Sequence, residues 1–370
     1  MIKKCLRSYG KKIRLNGRYG IKMLDFYKDK RVFITGHTGF KGSWLSQILI
    51  MAGAKVCGFS KEPNTKINLF EILKLENHMN SIIGDIRDYN NIEKSINEFK
   101  PEIVFHLAAQ PLVRESYENP IYTFETNVMG TVNILEAIRK CESVKSVVNI
   151  TTDKVYENKE WQWGYRENER LNGFDPYSNS KSCSELVTSS YKNSFLNNYN
   201  IAVSTARAGN VIGGGDFAKD RIIPDCVRAA IKGKDIIIRN PESIRPYQHV
   251  FDALSGYLLI AKCQYEDGKL QGSYNIGPNE DGCLTTKNIV EIFCKAWNDI
   301  RFRSIEQADD KHEANFLKLD CSKIKSVLGW QSKLNIEEAI NLTVQWSKAY
   351  FYEDNIDKLS MDIIKKYFLL

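Results

Sequence analysis

Tyr177 and Lys181 stand four residues apart just after Pro176, in a segment that reads as the start of a helix. Residues at that spacing share a helical face. A lysine so placed can lower the pKa of a phenol and favour phenolate near neutral pH. Phenolate can then take the proton of a hydroxyl as a hydride leaves the carbon that carries it. The pairing is common by chance, so its context decides. Upstream, the strand-like run Ser146–Ile150 leads into Thr151, Thr152, Asp153 and Lys154. Open α/β sheets bind ligands beyond the carboxyl ends of their strands. A hydroxyl, a carboxylate, an amine and the tyrosine pair are therefore expected in one cleft.

A third constellation stands near the start of the globular sequence. Gly36, Gly39 and Gly42 follow the apolar run Arg31–Thr35 and precede a helical pattern over Ser43–Ala52. In such a loop the first glycine allows a tight turn and the second lets backbone approach a pyrophosphate. The third lets helix and strand pack closely, while the helix N-terminus faces the anion. An acid at the end of the next strand would hold a ribose diol, but Ser60 stands there, followed by Lys61. The residues alone thus leave NAD and NADP open. Asp85 and Ile86, after a third strand, suit contacts to an adenine ring.

The elements needed to position these groups are legible. Strands at 31–35, 55–59, 78–83, 102–106 and 146–150 alternate with helices at 43–52, 91–99 and 123–140. This alternation predicts an α/β fold, a doubly wound parallel sheet of Rossmann type. After residue 206 the alternation weakens and Gly, Pro and aromatics become denser. The expected division is an extension at 1–22, a dinucleotide-binding domain at 23–206 and a smaller C-terminal substrate-binding lobe at 207–370. Some chain is expected to return to the first domain around 246–282. A helix is expected from about Ile336.

Composition narrows the class. The net charge of +7 resides in residues 1–22, which carry eight Lys and Arg and no acid, leaving −1 elsewhere. The basic character belongs to an extension, with Met23 as the expected start of the fold, and nucleic acid is not an expected partner. No apolar run is long enough to span a bilayer, so no membrane association is expected. Nine cysteines, none two residues from another, and five histidines without ligand spacing predict no metal. Scattered thiols without a secretory signal predict a reducing, cytoplasmic setting.

These stretches carry a resemblance. From about residue 28 to 350 the chain resembles the extended short-chain dehydrogenase/reductase family, the NAD-dependent epimerases and dehydratases. The stretches are Gly36–Leu45, His106–Arg114, Asn127–Thr131, Thr152–Lys154 with Trp161–Glu167, Arg207–Asp216 and Ile244–His249. The Thr-Asp-Lys run is narrower than the tyrosine motif, since related sugar dehydratases typically have Glu where Lys154 stands. The resemblance implies NAD as cofactor and a nucleotide-linked sugar as substrate, with CDP-glucose favoured. It implies a dehydration: Tyr177 and Lys181 oxidise C4 transiently, Thr152 holds that oxygen, and Asp153 and Lys154 eliminate water across C5 and C6. Gly36, Thr38, Gly39, Phe40, Gly42, Ser60, Asp85, Ile86, Leu107, Ala108 and Ala109 would hold the cofactor together with Tyr177 and Lys181. Gln110, Asn210, Arg221 and Arg245 would hold substrate. Relatives pair through helices, so a homodimer or homotetramer is expected, with 123–140 and the helix near Tyr177 as candidate faces. The residues themselves leave open a 4-epimerase, a ketoreductase, a heptose substrate or a non-catalytic NAD-binding module. Trp161, Trp163 and Tyr165 could wall the sugar or simply pack.

Overall fold

The computed structural model describes residues 23–279, 282–298, 300–304, 316–352 and 355–368; the basic segment 1–22 lies outside them. Seven strands form one parallel sheet: β1 (Arg31–Thr35), β2 (Lys55–Ser60), β3 (Asn80–Ile83), β4 (Ile103–His106), β5 (Ser146–Thr152), β6 (Ala202–Ala208) and, much later in the chain, a strand at Ser273–Ile276. From the edge formed by that last strand, the order is β6-β5-β4-β1-β2-β3. The winding reverses between β1 and β4, and the crevice above such a point is where doubly wound sheets bind ligands.

The strands are apolar nearly throughout because both faces are covered. Alternate residues of β1 show this. Val32 and Ile34 join a core with Trp44, Leu45 and Ile48 of the helix Phe40–Met51. Phe33 faces the other way, into a core with Ile92 and Ile96 of the helix Tyr89–Phe99 and Ile134 and Ile138 of the helix Gly130–Arg139. Gly53, at φ 76, lets the first helix end and turn into β2.

Two expected elements differ in extent. The first helix begins at Phe40, so Gly42 lies inside it. The helix expected over 123–140 starts at Pro120 and widens into a π-turn at Glu125–Met129 before Gly130. Such turns let a helix shift its face without a break.

Beyond β6 the chain builds a second core. A three-stranded sheet has β9 (Ile244–His249) between β7 (Asn210–Ile212) and β11 (Cys283–Thr285), and a two-stranded sheet pairs β8 (Ile236–Ile238) with β12 (Phe302–Ser304). The strand Ser273–Ile276 of the main sheet is thus β10 in chain order. Helices Ile222–Ile231, Thr286–Trp297 and Ile336–Phe351 enclose this core with Cys226, Phe293 and Ile340. The chain returns to the main sheet twice. The helix Val250–Glu266 lies on β5 and β6, and β10 pairs with β6. The helix Ile356–Phe368 buries Ile364 and Phe368 in the first core, where Tyr367 donates a 2.6 Å hydrogen bond to Asp252.

Three buried histidines make the fold acid-sensitive. Burial pushes His37 down to about 4 and His106 and His249 down to about 3. Each is therefore neutral in the native state while its unfolded counterpart takes a proton near pH 6.5. As pH falls from 7 to 5 the unfolded chain binds more protons, so stability falls. Burial pushes the carboxyls of Asp225 and Asp252 up, which offsets part of this. The net loss expected between pH 7 and 5 is on the order of 4 kcal/mol. Urea midpoints at pH 7, 6 and 5 measure it, and a flat profile would refute the assignment.

Candidate active site

The carboxyl end of β1 runs directly into the glycine loop. Gly36 has φ 77, and a Cβ there would stand 2.8 Å from the Ala108 nitrogen in the loop after β4. A Cβ on Gly42 would stand 2.1 Å from the Gly36 carbonyl. These contacts require glycine at both positions. Gly39 is the N-cap of the helix Phe40–Met51; no side chain caps that end and no acid stands in its first turn. A helix end left so suits a phosphate. Thr38 is buried, its hydroxyl 2.9 Å from Ser60 and donating to the Lys61 carbonyl at 2.9 Å. Ser60 thus braces the glycine loop, with no carboxylate at the end of β2. Asp85 accepts from the Arg87 side chain at 2.9 Å. Ile86 is buried against Gly130, where a Cβ would meet it at 2.5 Å. This cradle fits a dinucleotide pyrophosphate.

The turn after β5 carries the polar trio. Thr152 is the last residue of the strand, and Asp153–Val155 makes one 3-10 turn. The Thr152 hydroxyl donates to Asp153 Oδ1 at 2.9 Å, and Lys154 Nζ donates to the same oxygen at 3.4 Å. Asp153 is fully buried, and its Oδ2 has no hydrogen-bond partner among the described residues. Lys154 Nζ also reaches Asn210 Oδ1, at 3.5 Å, so it links the turn after β5 to β7.

Tyr177 opens the helix Pro176–Ser194, whose N-cap Asp175 accepts from the Ser178 backbone N–H at 3.0 Å. Burial pushes its phenol up to about 12, opposed by a hydrogen bond with the Thr152 hydroxyl. The depression expected from Lys181 is therefore not what this state shows. Lys181 is buried and donates to the Ile150 carbonyl at 3.1 Å. Burial pulls its ammonium down to about 8, while Glu185 opposes that.

Of the residues expected to touch substrate, Asn210 and Arg221 meet this cluster. Arg221 is ion-paired with Asp216 at 3.0 Å, and its charge acts on Tyr177. Arg245 is buried in β9 and donates to its neighbour's carbonyl, Ile244, at 3.2 Å. Gln110 does not join them. Its Nε2 donates to Leu112 O and Thr123 Oγ1, and its Oε1 accepts from the Leu112 N–H, so the buried amide holds its own loop. Trp161 and Tyr165 stack with Tyr156 into the core, which is packing, whereas Trp163 is exposed.

Lys41 joins the cluster without having been singled out by sequence reasoning. It sits in the first turn of the glycine-loop helix, and burial, followed by the charge of Arg221 and then Lys181, pulls its ammonium down to about 7. Asp153 and Lys154 also act on it electrostatically. Its position between two of the loop glycines is the available signal. Among the described residues, no group of three His, Cys, Asp or Glu side chains is placed to hold a metal, and no helix is long and apolar enough to cross a membrane.

The switch-point crevice, the glycine cradle and a tyrosine beside an acid–amine pair define a Rossmann-fold enzyme that acts on a hydroxylated substrate with a dinucleotide. The GDP-mannose 4,6 dehydratase family model matches residues 33–343, and the chain belongs to that family. CDP-glucose 4,6-dehydratase of Salmonella typhimurium is 52% identical over 332 residues, covering 88% of this chain and 92% of its own length. The dTDP-glucose 4,6-dehydratase of Haemophilus influenzae is 26% identical, covering 85% and 97%. The solved structure of the Thermus thermophilus UDP-glucose 4-epimerase complexed with NAD superposes with a TM-score of 0.73 at 26% identity, covering 86% of this chain and 99% of its own.

Proposed function

We propose that the chain removes water from CDP-glucose to give CDP-4-keto-6-deoxyglucose, with NAD as its cofactor. The observation that carries this reading is the turn after β5, which sets an acid and an amine 3.4 Å apart next to the threonine that contacts Tyr177. A 4-epimerase or ketoreductase needs the tyrosine but has no use for the acid–amine pair. The 52% identity to a CDP-glucose 4,6-dehydratase supports the same substrate.

Gly36, Thr38, Gly39, Phe40 and Gly42 would cradle the pyrophosphate. Ser60, Asp85, Ile86 and the Leu107–Ala109 loop would flank the adenosine. NAD, when bound, would supply a reversible hydride acceptor, taking hydride from C4 and returning it to C6. Tyr177 takes the proton of the C4 hydroxyl while Thr152 holds that oxygen. The C4 carbonyl makes the C5 hydrogen acidic. Lys154, with the Lys41 amine in the same electrostatic neighbourhood, removes it. Asp153 protonates the departing C6 hydroxyl, and water leaves; as hydride returns to C6, the Lys154 ammonium gives its proton back to C5, which leaves the 4-keto-6-deoxy sugar with no net redox change. Asn210, Arg221 and Arg245 hold the nucleotide diphosphate, for which a guanidinium fork is suited.

Two copies would pair through the helical segment 120–139 and the helix Pro176–Ser194, where Ile121, Met129 and Leu186 are 75%, 51% and 59% exposed. The expected setting is the cytoplasm. Incubation with NAD and a panel of CDP-, dTDP-, GDP- and UDP-sugars tests the activity. An 18 Da decrease in CDP-glucose is the expected result. Turnover without mass change would mark an epimerase instead.

A further inference from the structure

The buried ion pair of Glu185 and Arg207 lies outside the chemistry described above, yet it touches both halves of the site. Glu185 stands one helical turn beyond Lys181 and two beyond Tyr177. Its carboxylate accepts four hydrogen bonds. Arg207 Nε and Thr151 Oγ1 donate to Oε1 at 2.9 and 2.5 Å, and Arg207 Nη2 and Thr205 Oγ1 donate to Oε2 at 2.8 and 2.7 Å. Arg207 Nη1 donates onward to the Tyr156 hydroxyl at 2.8 Å. That hydroxyl donates to Asn275 in β10 at 2.6 Å. Thr151 immediately precedes the turn of Thr152, Asp153 and Lys154, and Tyr156 immediately follows it.

We propose that the Glu185–Arg207 pair is a positioning element for catalysis: it pins both ends of the turn bearing Thr152, Asp153 and Lys154 to the helix bearing Tyr177 and Lys181. Lys181, through its bond to the Ile150 carbonyl, grips the preceding residue of the same strand. Two consecutive residues of β5 are thus held by two consecutive turns of one helix. A buried charge pair is weak evidence for stability, since desolvation offsets its attraction. Its reach to both ends of one turn is what a purely structural role leaves unexplained. The inference rests on the roles given to these five residues above.

Thr151→Val and Tyr156→Phe each remove one pin and leave the ion pair whole. The first readout uses the free protein: amide hydrogen exchange across residues 151–156. Faster exchange there in either variant, with the rest of β5 and β6 unchanged, is expected; unchanged exchange in both overturns the proposal. The second readout is turnover of CDP-glucose. An expected fall in kcat of about 10- to 100-fold follows from misplacing the turn by about an ångström, with KM and NAD affinity within about threefold of the parent. The double variant should cost less than the product of the two, because both pins hold one turn. Parent-like kcat in both variants, or a loss matched by a fall in folded protein, overturns the proposal. A parent protein inactive on CDP-glucose sinks the functional reading alone, since the exchange readout needs no substrate.

Discussion

Tyr177→Phe should lower kcat/KM for water loss from CDP-glucose by at least about a thousandfold, the upper part of the range for a lost general base. The substitution deletes one oxygen and keeps the ring that fills the space beside Thr152. The helix start is unaffected, because Asp175 and Pro176 cap it without the phenol. Folding should therefore match the parent, and the defect should fall on kcat. Burial pushes the phenol up, opposed by the Thr152 hydroxyl and the charge of Arg221, and these opposing groups favour the phenolate that a general base needs. Lys181 does not stand in, since its amine is directed to the Ile150 carbonyl. Steady-state assays by mass spectrometry check this. A variant within tenfold of the parent would remove Tyr177 from the proton transfer.

Asp153→Asn should separate the two halves of the reaction. The carboxylate is fully buried, with Oδ1 held by Thr152 and Lys154 and Oδ2 unpartnered among the described residues. An unpartnered buried oxygen is costly unless something else uses it, and a departing sugar hydroxyl is a suitable user. Asparagine preserves the shape and the acceptor for Thr152 but has no acidic proton to give. Water loss should fall by about 10²- to 10⁴-fold. Oxidation at C4 and proton removal at C5 still have Tyr177 and Lys154. In deuterated water, unreacted CDP-glucose should then gain deuterium at C5 while the 18 Da loss nearly disappears. Water loss at the parent rate would show that Asp153 is not the acid. Loss of C5 exchange together with water loss would place its role earlier in the cycle.

Local signals were legible because each depends on a few neighbouring residues. The glycine triplet needs only a strand before it and a helix after it, and β1 and the helix Phe40–Met51 supply both. The Thr152–Lys154 turn was readable because an apolar run ends there. Alternating strands and helices up to residue 206 implied the parallel sheet, since neighbouring elements in the chain are neighbours in space. Where pairing is remote, legibility failed. A return of chain to the first domain around 246–282 is expected from the sequence, but the pairing of β10 with β6 through Ser273↔Thr205 spans a separation whose register no local period reveals. The helix Ile356–Phe368 likewise finds the first core through Asp252 and Tyr367.

The sequence by itself determined the family and the glycine loop, and it set Thr152, Asp153, Lys154, Tyr177 and Lys181 near one edge of the sheet, because a strand end and a helix start carry them. Only the tertiary structure decided which way the side chains turn. It directed Lys181 to a carbonyl, committed Gln110 to its own loop and brought Lys41 within the electrostatic reach of Arg221 and Lys181. It also placed Glu185 where one carboxylate meets donors from β5 and β6. Side-chain direction and desolvation depend on atoms distant in the chain, and so does the pKa of every group buried here.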